Sequence, residues 1–199
     1  MGDPKFLRRT YDTPKHPWEA TRMDEERQLL EKYGLKNKRE LWKAQSVLRR
    51  IRGQARELQA RVRTGETQAR KETELLLARL ARLGVLQVGT PTLDDVLALT
   101  TEDILRRRFE TIVFGHGLAP TPNSARKWIV QGHFAMGDHR VTRPGYLVRL
   151  DEEAQIAYAG TSPLASDDHP VRVALRERLA AKAAPPEAPP VPPEGGANA

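Results

Sequence analysis

A long apolar stripe restricts the fold of this chain more than any other feature. Leu41, Ala44, Leu48, Ile51, Ala55, Leu58 and Val62 follow one another at alternating spacings of three and four. At about 100° per residue, that pattern draws one face along a single helix, expected from Lys38 to Thr64. Such a face is stable only against a partner. "ETELLLARLARLG" supplies one, with Leu76, Leu80 and Leu83 on one side and Gly84 as the stop. About three heptads is short for an intermolecular coiled coil, so an antiparallel pair within the chain is the simpler expectation. Gly53 interrupts the long helix at a cost of about 1 kcal/mol relative to Ala, which suggests close approach of another backbone there.

Both flanks of the stripe are basic. Arg49, Arg52, Arg56 and Arg63 fall on one, and Lys43, Arg50 and Arg61 on the other. Charge is uneven along the whole chain. Residues 1–63 hold 17 Lys/Arg against 9 Asp/Glu, and residues 111–150 hold 5 against 1. Residues 64–110 are near neutral, 7 against 8, and residues 151–199 are acidic, 4 against 8. With a pI near 9.9, two cationic blocks point to a polyanionic partner, nucleic acid first. Cysteine is absent, which removes disulfides, thiolate zinc sites and cysteine nucleophiles. No apolar run approaches the ~20 residues of a membrane span, and no apolar leader core is visible, so neither a membrane partner nor secretion is expected.

The segments around the helical pair follow local rules. In residues 1–20, Pro4, Pro14 and Pro17 forbid regular helix. Lys5, Arg8, Arg9, Lys15 and His16 decorate this segment, which also carries Trp18. It reads as a basic extended arm suited to stacking and phosphate contact on RNA, or as a solvated tail. A helix is expected from Thr21 to Tyr33, closed by Gly34, with Asp24, Glu25 and Glu26 toward its positive end. Thr92 with Asp95, and Thr100 with Asp103, resemble capping boxes that open two short helices. Arg106, Arg107 and Arg108 close the second, complementing its C-terminal dipole. The helical domain then spans residues 21–105.

From Phe109 to Val148 the punctuation is denser. Phe109, Ile112, Val113 and His116 space like one helix face, with Gly117 as the stop. Thr121 and Pro122 open a second helix that buries Ala125, Trp128 and Ile129 and ends at Gly132. "HFAM" and "HRV" flank Gly137-Asp138, whose leading Gly suits a type II′ turn. Pro144-Gly145 makes the next turn and "YLV" the next strand. The fold class expected is α+β: a mainly helical domain, then a small module (106–164) of two or three helices and a short, mostly antiparallel sheet. A C-terminal helical segment (165–182) and a Pro-rich disordered tail (183–199) follow. Arg126, Lys127, Gln131 and His133 form a row of donors able to straddle RNA phosphates and sugar hydroxyls.

Three stretches, in order, carry a resemblance. "RRFETIVFGHGLAPTPNSARKWIVQGHFAMGDHRVTRPGYLV" resembles the RNA-binding module of the small-subunit ribosomal protein S-four family, a module shared with some RNA-modifying enzymes. "PWEATRMDEERQLLEKYGLKNKRELWKAQSVLRRIR" is similar to the arm and helices of that family's archaeal and eukaryotic branch. "DDVLALTTEDILRRRFETIVF" is similar to its inter-domain link. The resemblance covers about Pro4 to Leu164. It implies a protein that binds small-subunit ribosomal RNA at a multi-helix junction early in assembly. It further implies neighbouring small-subunit ribosomal proteins, messenger RNA at the entry region, and a cytoplasmic location in the small subunit. Carried over by position, the RNA face includes Arg107, Arg108, Arg126, Lys127, Gln131, His133, Arg140 and Arg143. Lys36, Asn37, Lys38 and Arg39 join it, as do Arg22, Lys43, Arg49, Arg50, Arg52 and Arg56 with the arm. The sequence departs from the family pattern at Gly115 and Pro120, where cations are usual, and at Gly137-Asp138, where Asn-Gly is usual. Asp138 is expected to turn from the RNA backbone or to meet a cation.

No reaction chemistry emerges. His16, His116, His133, His139 and His169 show no metal-ligand spacing, and no phosphate loop or nucleophile elbow is present. Neither a metal nor a cofactor is expected, and a catalytic role is not. The alternatives are an RNA-modifying enzyme or a messenger-binding regulator carrying the same module; the enzyme would need a catalytic domain of well over ~100 residues.

Overall fold

The computed structural model describes residues 9–86, 89 and 91–183. Lys5, Arg8 and residues 184–199 of the expected Pro-rich tail lie outside the described residues. The first lobe holds five helices: α1 (Ala20–Tyr33), α2 (Lys38–Arg63), α3 (Thr67–Arg82), α4 (Leu93–Ala98) and α5 (Thr101–Arg106). Helix α1 stops at Gly34 in the left-handed region, φ 62°. Leu35 N–H then returns to the Leu30 carbonyl at 3.0 Å, satisfying an end-of-helix acceptor.

The α2 stripe behaves as its spacing requires. Leu41, Ala44, Leu48, Ala55 and Leu58 are buried, joined by Leu76 and Leu80 of α3 and by Val96, Leu99, Ile104 and Leu105. Both capping boxes form: Thr92 N–H donates to Asp95 Oδ2 at 2.8 Å, and Thr100 N–H to Asp103 Oδ2 at 2.7 Å. Gly53 corrects the sequence reading. No backbone approaches it; nothing lies within 4 Å of where its Cβ would stand, because it faces solvent on the side of α2 away from the stripe.

The second lobe contains α6 (Phe109–Gly115), α7 (Pro122–Gln131), β1 (Phe134–Met136), β2 (His139–Arg140), α8 (Leu150–Glu153) and β3 (Ile156–Tyr158). Met136 pairs with His139 across the two-residue turn. Gly137 has φ 55° and, among the described residues, no non-glycine has positive φ, so only the first turn position is left-handed, the mark of type II′. The third strand is not "YLV". It is β3, antiparallel to β1 with Phe134 opposite Tyr158 and Met136 opposite Ile156, giving the order β2-β1-β3. Phe134 stacks on Tyr158 at 5.3 Å and meets Phe109 edge-on at 6.3 Å. His116 also departs from expectation. It is exposed rather than on the buried face, with Nε2 3.3 Å from Glu153.

Tyr146–Val148 is drawn elsewhere by unpaired backbone. Phe109 N–H donates to the Tyr146 carbonyl at 2.8 Å, and Val148 N–H to the Arg107 carbonyl at 3.0 Å. Leu147 bridges Arg108 in antiparallel fashion. Alternate residues of an extended segment point in opposite directions. Leu147 therefore packs on the helical core while Val148 is fully buried in the second one. The C-terminal helix α9 (Pro170–Ala183) docks through Arg172, whose guanidinium lies 4.8 Å from the Tyr158 ring centroid.

Two glycines give opposite outcomes for one substitution. Gly53→Ala adds helix propensity in open space and should stabilise by about 1 kcal/mol. Gly34→Ala would place Cβ 2.7 Å from Pro122 Cβ at φ 62°, and should destabilise by at least about 1–2 kcal/mol. Denaturant unfolding of both variants reads the two signs.

Candidate nucleic-acid interface

The cations divide into two sets: those held by the protein's own carboxylates and those left without such a partner. The most buried members of the first set lie where the lobes meet. Glu40, in the first turn of α2, accepts from Arg108 Nη2 at 2.8 Å and from Arg126 Nη1 at 3.0 Å. Arg126 Nη2 donates to the second oxygen of Glu40. Glu110, with no side-chain exposure, lies 3.2 Å from Arg126 and 3.5 Å from Arg108. Two guanidiniums and two carboxyls thus join α2 to α6 and α7.

The two carboxyls shift in opposite senses. Burial alone would raise the Glu40 carboxyl, but the hydrogen bonds from Arg126 and Arg108 outweigh it and hold it below the usual carboxylate range. Glu110 goes the other way. Burial pushes its carboxyl up to about 7 against the pull of both arginines. Its Oε1 finds no hydrogen-bond donor among the described residues.

Several residues expected to be free for RNA are instead engaged within the protein. Arg108 and Arg126 are not exposed donors; their side chains retain 7% and 17% exposure. Arg107 is likewise turned inward, donating to Glu153 at 2.8 Å and to the Val148 carbonyl at 3.2 Å. Arg22 and Lys38 reach the buried Glu26 at 2.7 and 3.1 Å. Asn37 accepts from Glu40 N–H and so caps α2. For each of the cations a nearby acid or free backbone carbonyl competes successfully for the donor, while Asn37 spends its side-chain oxygen on a free helix N–H. Glu26, Glu40 and Glu110 were not singled out as partners in the sequence, although an acid set among cations, as in "NKRE" and "RRRFE", is the signal that marks them.

The second set remains outward. Lys15, Lys36, Arg39, Lys43, Arg50, Arg56, Lys127, Arg140 and Arg143 are exposed. Among the described residues none of them makes an ion pair with a carboxylate. Gln45, Arg49, Arg52 and Arg56, spaced four, three and four, line an open groove of about 530 Å³ with Leu48 and Thr101. Arg52 is steadied there by donating to the Leu99 carbonyl. The arm lies against the same helix. Asp12 N–H donates to Ser46 Oγ at 3.2 Å, Asp12 pairs with Arg49 at 2.6 Å, and Tyr11 packs 6.1 Å from Trp42. Arg9 lies over Tyr11 at 4.5 Å. His16 and Trp18 are exposed beyond it.

On the second lobe, Thr121 caps α7 by accepting from Ser124 N–H at 3.1 Å, which starts the helix so that Lys127 and Gln131, one turn apart, both face solvent. A Cβ on Gly132 would stand 2.9 Å from Arg140 Nε, so the glycine admits the Arg140 side chain beside α7. His133 is half-buried, its Nδ1 2.9 Å from Ser162 Oγ. Asp138 is exposed at the hairpin tip. No group of three His, Cys, Asp or Glu is placed to hold a metal among the described residues. No helix there is long and apolar enough to cross a membrane.

Comparison with known proteins gives the family. The S4 domain family matches residues 107–153, the span from Arg107 to the end of α8. The small ribosomal subunit protein uS4 of Thermoplasma acidophilum is 50% identical over 175 residues, covering 88% of this chain and 87% of that one. The chain belongs to the uS4 family. The uS4 protein of Picrophilus torridus is also 50% identical over 175 residues, 88% of this chain and 95% of its own. That of Methanococcus aeolicus is 49% identical over 172 residues, 86% and 96%. For a uS4 protein the match leaves α1 to α5 outside the S4 domain, so the basic α2 groove lies on the family's other lobe.

The buried acid predicts a pH dependence. A carboxyl raised from 4.5 to about 7 holds its proton more tightly in the folded state than in the unfolded one. Its contribution to stability is complete below about pH 4.5 and is lost as pH rises toward 7. The wild-type protein should therefore lose stability relative to Glu110→Gln between pH 4.5 and 7. Unfolding midpoints of the pair across that range measure the difference.

Proposed function

We propose that the protein binds small-subunit ribosomal RNA directly and holds its helices in place as the particle assembles. As a uS4 protein it is a structural ribosomal constituent, not an enzyme, and works in the cytoplasmic small subunit. The observation that carries the RNA reading is the set of exposed cations without an internal acid. Arg50 and Arg56 belong to α2, Lys127 to α7, and Arg140 and Arg143 to the hairpin region. Each is free to meet a phosphate, and each phosphate met releases condensed counterions. Gln131 supplies a neutral donor and acceptor for sugar hydroxyls, the group that distinguishes RNA from DNA. Arg52 and Arg56 of the α2 groove, with the arm that Asp12 ties to Arg49, engage a second stretch of backbone. Early nucleation of assembly, contact with neighbouring ribosomal proteins, and a place near the messenger entry region belong to this proposal through family likeness.

Salt titration tests the assignment of residues. Binding to a small-subunit ribosomal RNA fragment should weaken steeply with salt, with the log–log slope proportional to the phosphates contacted. Lys127→Gln and Arg140→Gln should each reduce that slope by about 1. Arg126→Gln should weaken binding without changing the slope, because Glu40 and Glu110 already neutralise Arg126. Equal affinity for an arbitrary duplex of the same length would overturn the proposal.

A further inference from the structure

Trp18 is the most exposed large apolar residue described, at 86%. An indole left in water on a loose tail would mean little. This one is held. Arg22 Nη2 donates to the carbonyls of His16 and Pro17 at 2.8 and 3.0 Å. Arg22 Nη1 donates to Glu26 at 2.7 Å. Glu26, with 4% side-chain exposure, also accepts from Trp42 Nε1 at 3.1 Å and lies 3.1 Å from Lys38 Nζ. Burial would raise the Glu26 carboxyl, yet its partners keep it low and hence charged. A line of hydrogen bonds therefore runs from α2 through α1 to the turn that presents Trp18. Pro17 stiffens that turn by fixing its own φ.

We infer that Trp18 is a stacking platform for one unpaired RNA base, with Arg22 as its positioning residue. The inference rests on the RNA-binding reading and specifies what the arm takes. An open hollow of about 500 Å³ surrounds the indole, lined by His16, Pro17, Trp18 and Glu19. The surroundings favour a base over a protein side chain. A protein interface needs an apolar core around its aromatic anchor, and no other large apolar residue of 9–33 is exposed. A base needs one free aromatic face and cations for its phosphates. Lys15 precedes the turn, and Arg9 follows α2 beside Arg49 and Arg50. The acid beside the ring is balanced, Glu19 lying 3.7 Å from Arg22 Nε. Continuous duplex has its base faces closed by their own stack, so the ligand is a looped-out or single-stranded base.

The test uses the full chain and three RNA probes of one length: a single-stranded oligoadenylate, the same strand with abasic positions, and a closed hairpin. Oligoadenylate should quench tryptophan fluorescence, and the abasic strand should not. Trp18→Leu should abolish most of the quenching and weaken oligoadenylate binding by about tenfold or more, while Trp18→Phe keeps most of the affinity. The salt slope should stay unchanged, since an indole neutralises no phosphate. Arg22→Met should reduce affinity in the wild-type background and much less in Trp18→Leu. Circular dichroism confirms the fold; Trp18 is exposed enough that its replacement should leave it intact. Unchanged affinity and quenching in Trp18→Leu would overturn the inference, as would equal binding of the abasic strand. So would an effect of Trp18→Leu confined to a ribosomal protein neighbour. Specific, salt-sensitive binding of the ribosomal RNA fragment alongside any of these results would leave the RNA-binding reading standing. Its loss in the wild type would remove both.

Discussion

The architecture depends on one nearly dry cluster of charge. Glu40 comes from the first turn of α2, Arg108 and Glu110 from the start of α6, and Arg126 from α7. Removing Glu40 leaves two largely buried guanidiniums with only Glu110, whose own carboxyl is raised to about 7, and that penalty exceeds what an intact pair contributes. The cluster therefore specifies more than it stabilises. Hydrophobic contact between lobes tolerates sliding; a bidentate guanidinium–carboxylate pair does not. Two surfaces fixed in one relative orientation can engage a folded RNA together, and the second contact then forms at high effective concentration.

That arrangement separates two roles arginine plays in a basic protein. Arg107, Arg108 and Arg126 add to the net charge of +7 but are neutralised locally. Their contribution to long-range attraction is small, because the field of a paired charge dies away within a short distance. Arg50, Arg56, Lys127, Arg140 and Arg143 carry the field that an approaching polyanion meets. Net charge by itself does not distinguish the two kinds, whereas the position of each acid does.

Much of the fold was legible in the sequence because its signals were local. The α2 stripe, both Thr–Asp capping boxes, the Thr121-Pro122 helix start and the Gly137-Asp138 turn each involve residues within a few positions of one another. Non-local pairing was not legible. The third strand, Ile156–Tyr158, has no distinctive alternation over three residues, whereas "YLV" has the β-branched and aromatic character of a strand. What decided between them was the competing demand of Arg107 and Phe109 for backbone partners. The interface showed the same limit. Helix phase puts Arg126 and Lys127 on the exposed side of α7, and only Lys127 is outward. Family likeness supplies Arg108 and Arg140, of which Arg140 is exposed. Neither phase nor likeness gives warning of an acid 68 or 86 positions away.

The Tyr146–Val148 segment has a further consequence, for synthesis. Leu147 packs against a helical core whose other members end at Leu105, while Val148 seals a core that includes Ile156. The first lobe emerges from the peptide exit tunnel long before the residue that covers part of its apolar surface. Until Leu147 arrives, that patch stays uncovered, and the nascent helices wait on a strand-like tether made some forty residues later. A chain built this way finishes packing its N-terminal lobe only after much of the second lobe has been made.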